Sequence, residues 1–136
     1  MDGKRKVVVF GIFDGVHDGH RDMFRQAREY GEELVAVVGR DEVSLQLKGK
    51  KPKYGEGERV ELVKQEKLVS DAVLGDEQQS SYAVLEALRP DVICLGYDQE
   101  ALEEDLKAWI KANNGGVPIH ILKPYKADSL HNSKLT

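Results

Sequence analysis

The sequence has little that would suit an extracellular or membrane protein. It contains a single cysteine, Cys94, so it cannot form an internal disulfide, and this is typical of proteins from a reducing compartment. Its longest apolar runs, such as residues 7–10, are far shorter than the roughly 20 residues that a membrane-spanning helix needs. The N-terminus also lacks the apolar stretch of a signal peptide. We therefore expect a cytoplasmic protein with no membrane partner.

A basic surface is missing as well, because the formal net charge is −4. Binding to nucleic acid without sequence preference depends on basic residues that release counterions, so nucleic acid is not expected as a partner. The chain is 40% hydrophobic and 32% charged, as globular domains usually are. Its length suits one domain with one buried core, and we predict a single domain over residues 1–136.

Short apolar runs rich in β-branched residues alternate with longer segments of helical periodicity. This alternation is typical of βα units around a parallel sheet, and continuous apolar runs indicate strands covered on both faces. We predict an α/β fold, a Rossmann-like three-layer sandwich with a five-stranded parallel sheet and helices on both faces. The predicted strands are residues 6–10, 34–38, 72–74, 92–95 and 118–122.

Four segments with helical features can be placed between these strands. The first covers residues 19–30 and is predicted to end at a left-handed Gly31. The second contains Arg59 near its start, the third covers residues 81–88 with Ser80 or Ser81 as its cap, and the fourth buries Trp109. Residues 41–58, between the second strand and Arg59, are predicted to form an exposed loop, because residues 48–55 contain four lysines and three helix breakers. Cys94 lies in an apolar run and is expected to be a buried residue without a chemical role.

Residues 11–20 join the first strand to the first helix and carry the clearest chemical signal. In open α/β sheets, ligands bind outside the carboxyl ends of the strands, near the point where the strand order reverses. Gly11, Gly15 and Gly19 allow a tight turn and a close approach to a ligand, and the first N–H groups of the helix suit an anion. The spacing G-x-G-x-x-G of a dinucleotide-binding turn is absent from this segment.

His17 and His20 are three residues apart, so both rings can face the same phosphate. Nucleotidyl transfer needs donors aimed at oxygens whose charge grows in the transition state, and imidazole N–H groups can supply them. Two other interpretations stay open. The pair could bind zinc, although the segment offers no third strong ligand, or the histidines could be surface residues without a role.

Six positions of this segment match the signature G-x-F-D-x-x-H-x-G-H, and through them the chain resembles the cytidylyltransferase-like family of nucleotidyltransferases. They are Gly11, Phe13, Asp14, His17, Gly19 and His20. Later blocks, such as Lys48-Gly49-Lys50 and Gly96-Tyr97-Asp98-Gln99, are most similar to archaeal-type FAD synthases. Relatives of glycerol-3-phosphate cytidylyltransferase share the same frame.

The resemblance implies roles for individual residues. His17, His20 and Lys48 would be catalytic, stabilising charge on the phosphates. Asp41 and Arg59 would bind the acceptor, although Asp41 could instead be a loop or cap residue and Arg59 could pair with a surface glutamate. The residues implied for nucleotide binding are Gly11, Ile12, Phe13, Asp14, Gly19, Gly96, Tyr97, Asp98, Gln99 and Ser133.

The resemblance also implies partners and a reaction. Mg²⁺ would arrive with the nucleoside triphosphate, held by phosphate oxygens and water, so no protein metal site is expected. The expected reaction moves AMP from ATP to FMN and releases pyrophosphate. One alternative is cytidylyl transfer from CTP to an acceptor such as glycerol 3-phosphate. Another is a catalytically poor nucleotide-binding module, because the final family helix is missing after residues 132–136. A homodimer is a further expectation from the resemblance.

Overall fold

The structure is a computed structural model that describes residues 4–78, 81–113 and 115–125. Strands and helices alternate along most of the chain. The strands are β1 (Lys6–Gly11), β2 (Glu33–Val38), β3 (Asp71–Leu74), β4 (Val92–Leu95) and β5 (Ile119–Ile121). The helices are α1 (Asp18–Ala27), α2 (Asp41–Lys48), α3 (Glu56–Lys64), α4 (Ala83–Leu88) and α5 (Glu100–Ala112), and a 3-10 turn (Arg28–Tyr30) follows α1.

The five strands form one parallel sheet in the order β3-β2-β1-β4-β5. From the central β1, the chain first moves outward through β2 and β3 and then crosses to β4 and β5. The strand order therefore reverses between β1 and β4, where a crevice opens at the carboxyl ends of the strands. The predicted α/β sandwich and its parallel sheet are confirmed, and each predicted strand overlaps the observed one.

Alternate residues of the buried strands point into two apolar layers, one on each side of the sheet. Val7 and Val9 of β1 join Phe24 of α1 and Val63 of α3 on one side. Val8 and Phe10 face the other side, where the layer includes the following buried or partly buried residues of α4 and α5: Leu85, Leu88, Leu102, Leu106, Trp109 and Ile110. Period-two side-chain alternation on strands covered twice explains why the sequence shows continuous apolar runs.

The first helix ends differently from the prediction. Helix α1 stops at Ala27 and continues as the 3-10 turn, and Gly31 has a φ of −178°, which is extended and not left-handed. Glycine is needed there for another reason, because an added Cβ would lie 2.6 Å from the carbonyl oxygen of Arg5. Close packing against the start of the first strand, not the backbone angle, excludes a side chain at Gly31.

The predicted loop over residues 41–58 is wrong in part. Its first eight residues form α2, and residues 56–58 begin α3, so that only residues 49–55 connect the two helices. We name this connection the lysine loop. Side-chain contacts distant in sequence help to fix the start of α2: Asp41 N donates to Glu56 Oε1 at 2.8 Å. The local sequence pattern gives no sign of this contact, so it did not predict α2.

Two further expectations concern α4 and the cysteine. Helix α4 begins later than predicted, and Ser81 does not cap it; Tyr82 occupies the cap position with a left-handed φ of 49°, while Asp76 accepts the N–H of Val84. Ser80, the other candidate cap, lies outside the described residues. Cys94 is fully buried as expected, and burial raises the pKa of its thiol to about 12. No described helix is long and apolar enough to cross a membrane.

Candidate active site

A cavity of about 1140 Å³ opens over the carboxyl ends of the strands. It extends across the point where the strand order reverses. The β1–α1 segment lines its centre, β2 and the lysine loop form one side, and the segments after β4 and β5 form the other. Pockets for one small ligand commonly measure about 300–1,000 Å³. The cavity is therefore large enough for a nucleotide and a second substrate.

His17 and His20 lie together at the N-terminus of α1 and line this cavity. The Nδ1 atom of His17 accepts the N–H of Gly19 at 3.0 Å, and Nδ1 of His20 accepts the N–H of His17 at 3.2 Å. The two rings stack with centroids 3.9 Å apart. A ring nitrogen that accepts a hydrogen bond carries no proton, so each neutral ring carries its proton on Nε2. The pair thus offers two neighbouring N–H donors beside a helix N-terminus.

The charge state of His20 follows from its surroundings. Burial, and then the electrostatic effects of His17 and Arg21, lower the pKa of His20 from 6.5 to about 4, against the opposing effects of Asp98 and Glu66. His20 is consequently neutral at pH 7. A neutral imidazole can still donate its Nε2–H to a phosphate oxygen.

Two other positions of the motif support the histidines. An added Cβ at Gly19 would lie 2.9 Å from Cε1 of His17, so the glycine leaves room for the His17 ring. Phe13 has a left-handed φ of 53° and is almost fully buried. Its ring packs on Phe24 and on the edge of His20, with centroids 5.7 and 5.1 Å away. Packing therefore holds Phe13 in a conformation that is costly for a residue with a side chain.

Asp14 holds the lysine loop. Its two carboxylate oxygens accept the backbone N–H groups of Lys53 at 2.7 Å and Tyr54 at 2.9 Å. These two hydrogen bonds are the main reason that the pKa of Asp14 is lowered. The loop is thereby tied to the β1–α1 segment, and Lys48, Lys50 and Lys51 line the same cavity as the histidine pair. Asp14 also lines the cavity, but its hydrogen bonds go to the loop.

Arg59 does not lie where the sequence suggested. The side chain is completely buried, and residues 41 and 59 are both absent from the cavity lining. The guanidinium of Arg59 instead donates to a carboxylate oxygen of Asp41 at 2.6 Å and to three backbone carbonyls. A direct contact from Arg59 to an acceptor phosphate does not agree with this burial. Its ion pair is with Asp41 and not with a surface glutamate.

The segment after β4 forms the opposite side of the cavity. Gly96, Tyr97, Asp98 and Gln99 all line it, as the sequence suggested. Gln99 is held by the protein, since its Oε1 accepts the N–H of Gly96 at 2.7 Å and its Nε2 donates to the carbonyl of Phe10 at 3.1 Å. Tyr97 is exposed, and the Asp98 carboxylate is near enough to His20 to affect its pKa. Ser133, the remaining nucleotide-binding candidate, lies outside the described residues.

Several residues that line the cavity were not predicted from the sequence. Arg40 follows the carboxyl end of β2 and donates to the carbonyl of Gly75 at 2.8 Å. Tyr82 donates to the carboxylate of Asp105, and Lys123 lies just beyond β5. Positions directly after the carboxyl ends of parallel strands are where ligands gather, and this signal was available for Arg40 and Lys123. Tyr82 reaches the cavity through packing that the local sequence does not encode.

Among the described residues, no group of three or more His, Cys, Asp or Glu side chains is arranged to hold a metal ion. Mg²⁺ often binds through substrate phosphates and water with few protein ligands. The side chains around this cavity therefore fit a magnesium ion that is carried by a triphosphate better than one held by the protein alone.

Comparison with known proteins agrees with the geometry. Residues 8–124 match the model of the family described as cytidylyltransferase-like. A protein of Thermococcus sibiricus named FAD synthase is 38% identical over 136 residues, which cover 97% of this chain and 90% of that protein. Another of the same name, from Thermoplasma acidophilum, is 40% identical over 128 residues, covering 94% of this chain and 87% of that protein.

Two solved structures resemble the fold. A Thermoplasma volcanium protein described as a lipopolysaccharide core biosynthesis protein superimposes with a TM-score of 0.83 at 34% identity, covering 91% of this chain and all of that one (100%). Pantoate-β-alanine ligase from Francisella tularensis superimposes with a TM-score of 0.63 at 10% identity, covering 100% of this chain and 67% of that one, and supports the fold alone. The matched residues contain the histidine pair, the glycines around it and the strands that carry them. The chain belongs to the cytidylyltransferase-like family of nucleotidyltransferases.

Proposed function

We propose that the protein is an FAD synthase, which transfers AMP from ATP to the phosphate of FMN and releases pyrophosphate. The observation that carries the proposal is the stacked His17–His20 pair at the N-terminus of α1, facing a cavity with room for two ligands. Relatives that cover nearly the whole chain bear the name FAD synthase. A cavity larger than most single-ligand pockets also suits a flavin better than a small phosphorylated alcohol.

The proposed reaction is an in-line displacement at phosphorus. An oxygen of the FMN phosphate attacks the α-phosphorus of ATP, a new P–O bond forms, and the bond from the α-phosphorus to the bridging oxygen breaks to release pyrophosphate. A phosphate monoester is already mostly dianionic at pH 7, because its second pKa is about 6. The attacking group therefore needs no general base, which agrees with a site whose histidines act as donors.

The chain's residues would stabilise the charge that builds up during this step. The Nε2–H groups of His17 and His20 would donate to non-bridging oxygens of the α-phosphate, together with the N–H groups at the start of α1. Lys48, at the end of α2 next to the lysine loop, also lines the cavity and would neutralise charge on the pyrophosphate or on FMN. Gly96 and Asp98 would contact the ribose or the base. Mg²⁺ would shield the triphosphate when it is bound.

The experiment measures pyrophosphate release with ATP or CTP against FMN or glycerol 3-phosphate in the presence of Mg²⁺, with product identification by chromatography. We expect FAD from ATP and FMN, and loss of product in His20→Ala. Product from CTP and glycerol 3-phosphate alone would replace the proposal with the cytidylyltransferase alternative. A rise in melting temperature with nucleotide, without turnover for any pair, would indicate a nucleotide-binding module.

A further inference from the structure

Arg59 is an unusual charge for a domain of this size, because it is fully buried and joins parts of the chain that are distant in sequence. Its Nη1 atom donates to the carbonyls of Ile12 and Gly39, both at 2.7 Å. Its Nε donates to the carbonyl of Tyr54 at 2.9 Å, and its Nη2 to Asp41 at 2.6 Å. The segments after β1 and β2, the start of α2 and the lysine loop therefore meet at one guanidinium.

Stability alone does not account for such a residue. Burial of an ion pair costs desolvation energy that the pairing often only balances, and an apolar side chain of similar volume would often stabilise the fold as well. The planar guanidinium differs from an apolar side chain in directing several hydrogen bonds at fixed angles. Its contribution here is geometric, since it orients three peptide carbonyls, and two of them belong to residues that line the cavity, Ile12 and Gly39.

The first of these peptide groups lies between Ile12 and Phe13. In a trans peptide the C=O and N–H bonds point in opposite directions. Since the carbonyl of Ile12 points at the buried guanidinium, the N–H of Phe13 points away from it, and both residues line the cavity. The left-handed φ of Phe13, 53°, is part of the same arrangement.

The second consequence concerns the lysine loop, which is held at Tyr54 from two directions. The N–H of Tyr54 donates to Asp14, and its carbonyl accepts from Arg59. Both anchors lead back to the β1–α1 segment, because Asp14 belongs to it and Arg59 binds Ile12. The position of the loop relative to the histidine pair is thus fixed by these two side chains.

We propose that Arg59 is a positioning residue for the triphosphate: without touching the substrate, it presents the N–H of Phe13 and the lysine loop to the phosphates. The inference rests on the proposed function for the identity of the nucleotide. Arg59 should affect the binding of the phosphates and not the binding of the nucleoside. The contacts that it organises are with phosphates, whereas Gly96 and Asp98 lie on the side proposed for the nucleoside.

The test compares Arg59→Lys and Arg59→Met with Arg25→Lys, a control at a largely exposed arginine on α1. The dissociation constants of ATP and adenosine are measured by calorimetry, with circular dichroism to confirm folding. We expect the Arg59 variants to bind ATP about tenfold or more weakly, as expected for the loss of one hydrogen bond to a charged group. Adenosine affinity should stay within about twofold, and Arg25→Lys should match the wild type.

Equal losses for ATP and adenosine, or no loss for either in a folded variant, would overturn the inference. If both Arg59 variants fail to fold, Asp14→Asn decides, because Asp14 is an exposed residue that holds the same loop. A selective loss of ATP affinity in Asp14→Asn supports the inference, and an unchanged ratio of ATP to adenosine affinity overturns it. These measurements need no acceptor, so their outcome is independent of whether the wild-type protein makes FAD.

Discussion

Acidification should destabilise the protein through His20, and the effect can be worked out from its surroundings. The pKa of His20 is about 4 in the folded protein, compared with 6.5 for an unperturbed histidine. Below pH 6.5 the unfolded chain therefore takes up a proton at this position while the folded chain does not. The contribution of His20 to the free energy of unfolding is fully present above pH 6.5 and is lost as the pH falls toward 4. If the whole difference between the two pKa values acts on stability, the free energy of unfolding falls by at most about 3.4 kcal/mol. Because the ring is partly exposed, we expect a loss of about 2 kcal/mol.

The assay is urea unfolding of the wild type and of His20→Gln at pH 7 and pH 4.5. Glutamine does not titrate, so the variant reports what all other groups contribute over this range. Asp14 and Glu32, whose pKa values are lowered, remain in both proteins, and their effect cancels in the comparison. Between pH 7 and pH 4.5, the free energy of unfolding of the wild type should fall further than that of the variant, by most of about 2 kcal/mol. Parallel losses, within the extrapolation error of about 10–15%, would refute the assigned environment of His20.

Three further predictions use the packing around the site. Gly19→Ala should displace the ring of His17, since the new Cβ would lie 2.9 Å from it. In a folded variant, kcat should fall at least about tenfold. A kcat equal to that of the wild type would contradict the close contact. Gly57→Ala is the matched control, because nothing lies within 4 Å of its added Cβ; it should leave kcat unchanged and raise the free energy of unfolding by about 0.5–1 kcal/mol, and a lower stability would count against the helical environment. Cys94, with a pKa raised to about 12, should react with a thiol reagent only after unfolding, and rapid labelling of the native protein would contradict its burial.

The sheet and the centre of the site could be predicted from sequence because their signals are local. Residues 92–95 form β4 with the predicted bounds, since a strand covered on both faces is apolar throughout. The segment from Gly11 to His20 also carries its information within ten residues. His17 and His20 meet because a spacing of three places them on the same side of the first helical turn.

The surroundings of Arg59 could not be predicted, because they depend on contacts distant in sequence. Because Glu58 and Glu61 are close to it in sequence, Arg59 is expected at the surface. Its hydrogen-bond partners nevertheless include Ile12 and Gly39, which are 47 and 20 residues away. Helix α2 was missed for a related reason. Three breakers in the lysine loop dominate the local pattern, whereas the start of the helix is tied to Glu56 across that loop.

The most direct test of the account is a single-turnover assay of FAD formation from ATP and FMN, with the wild type and the single variants His17→Ala and His20→Ala. The wild type should form FAD and pyrophosphate in equal amounts. The rate should be lower by about 10²–10³ in each variant, as expected for the loss of one donor to the transition state, while ATP still binds. Wild-type rates in both variants, or no FAD from a wild-type protein that binds ATP and FMN, would contradict it.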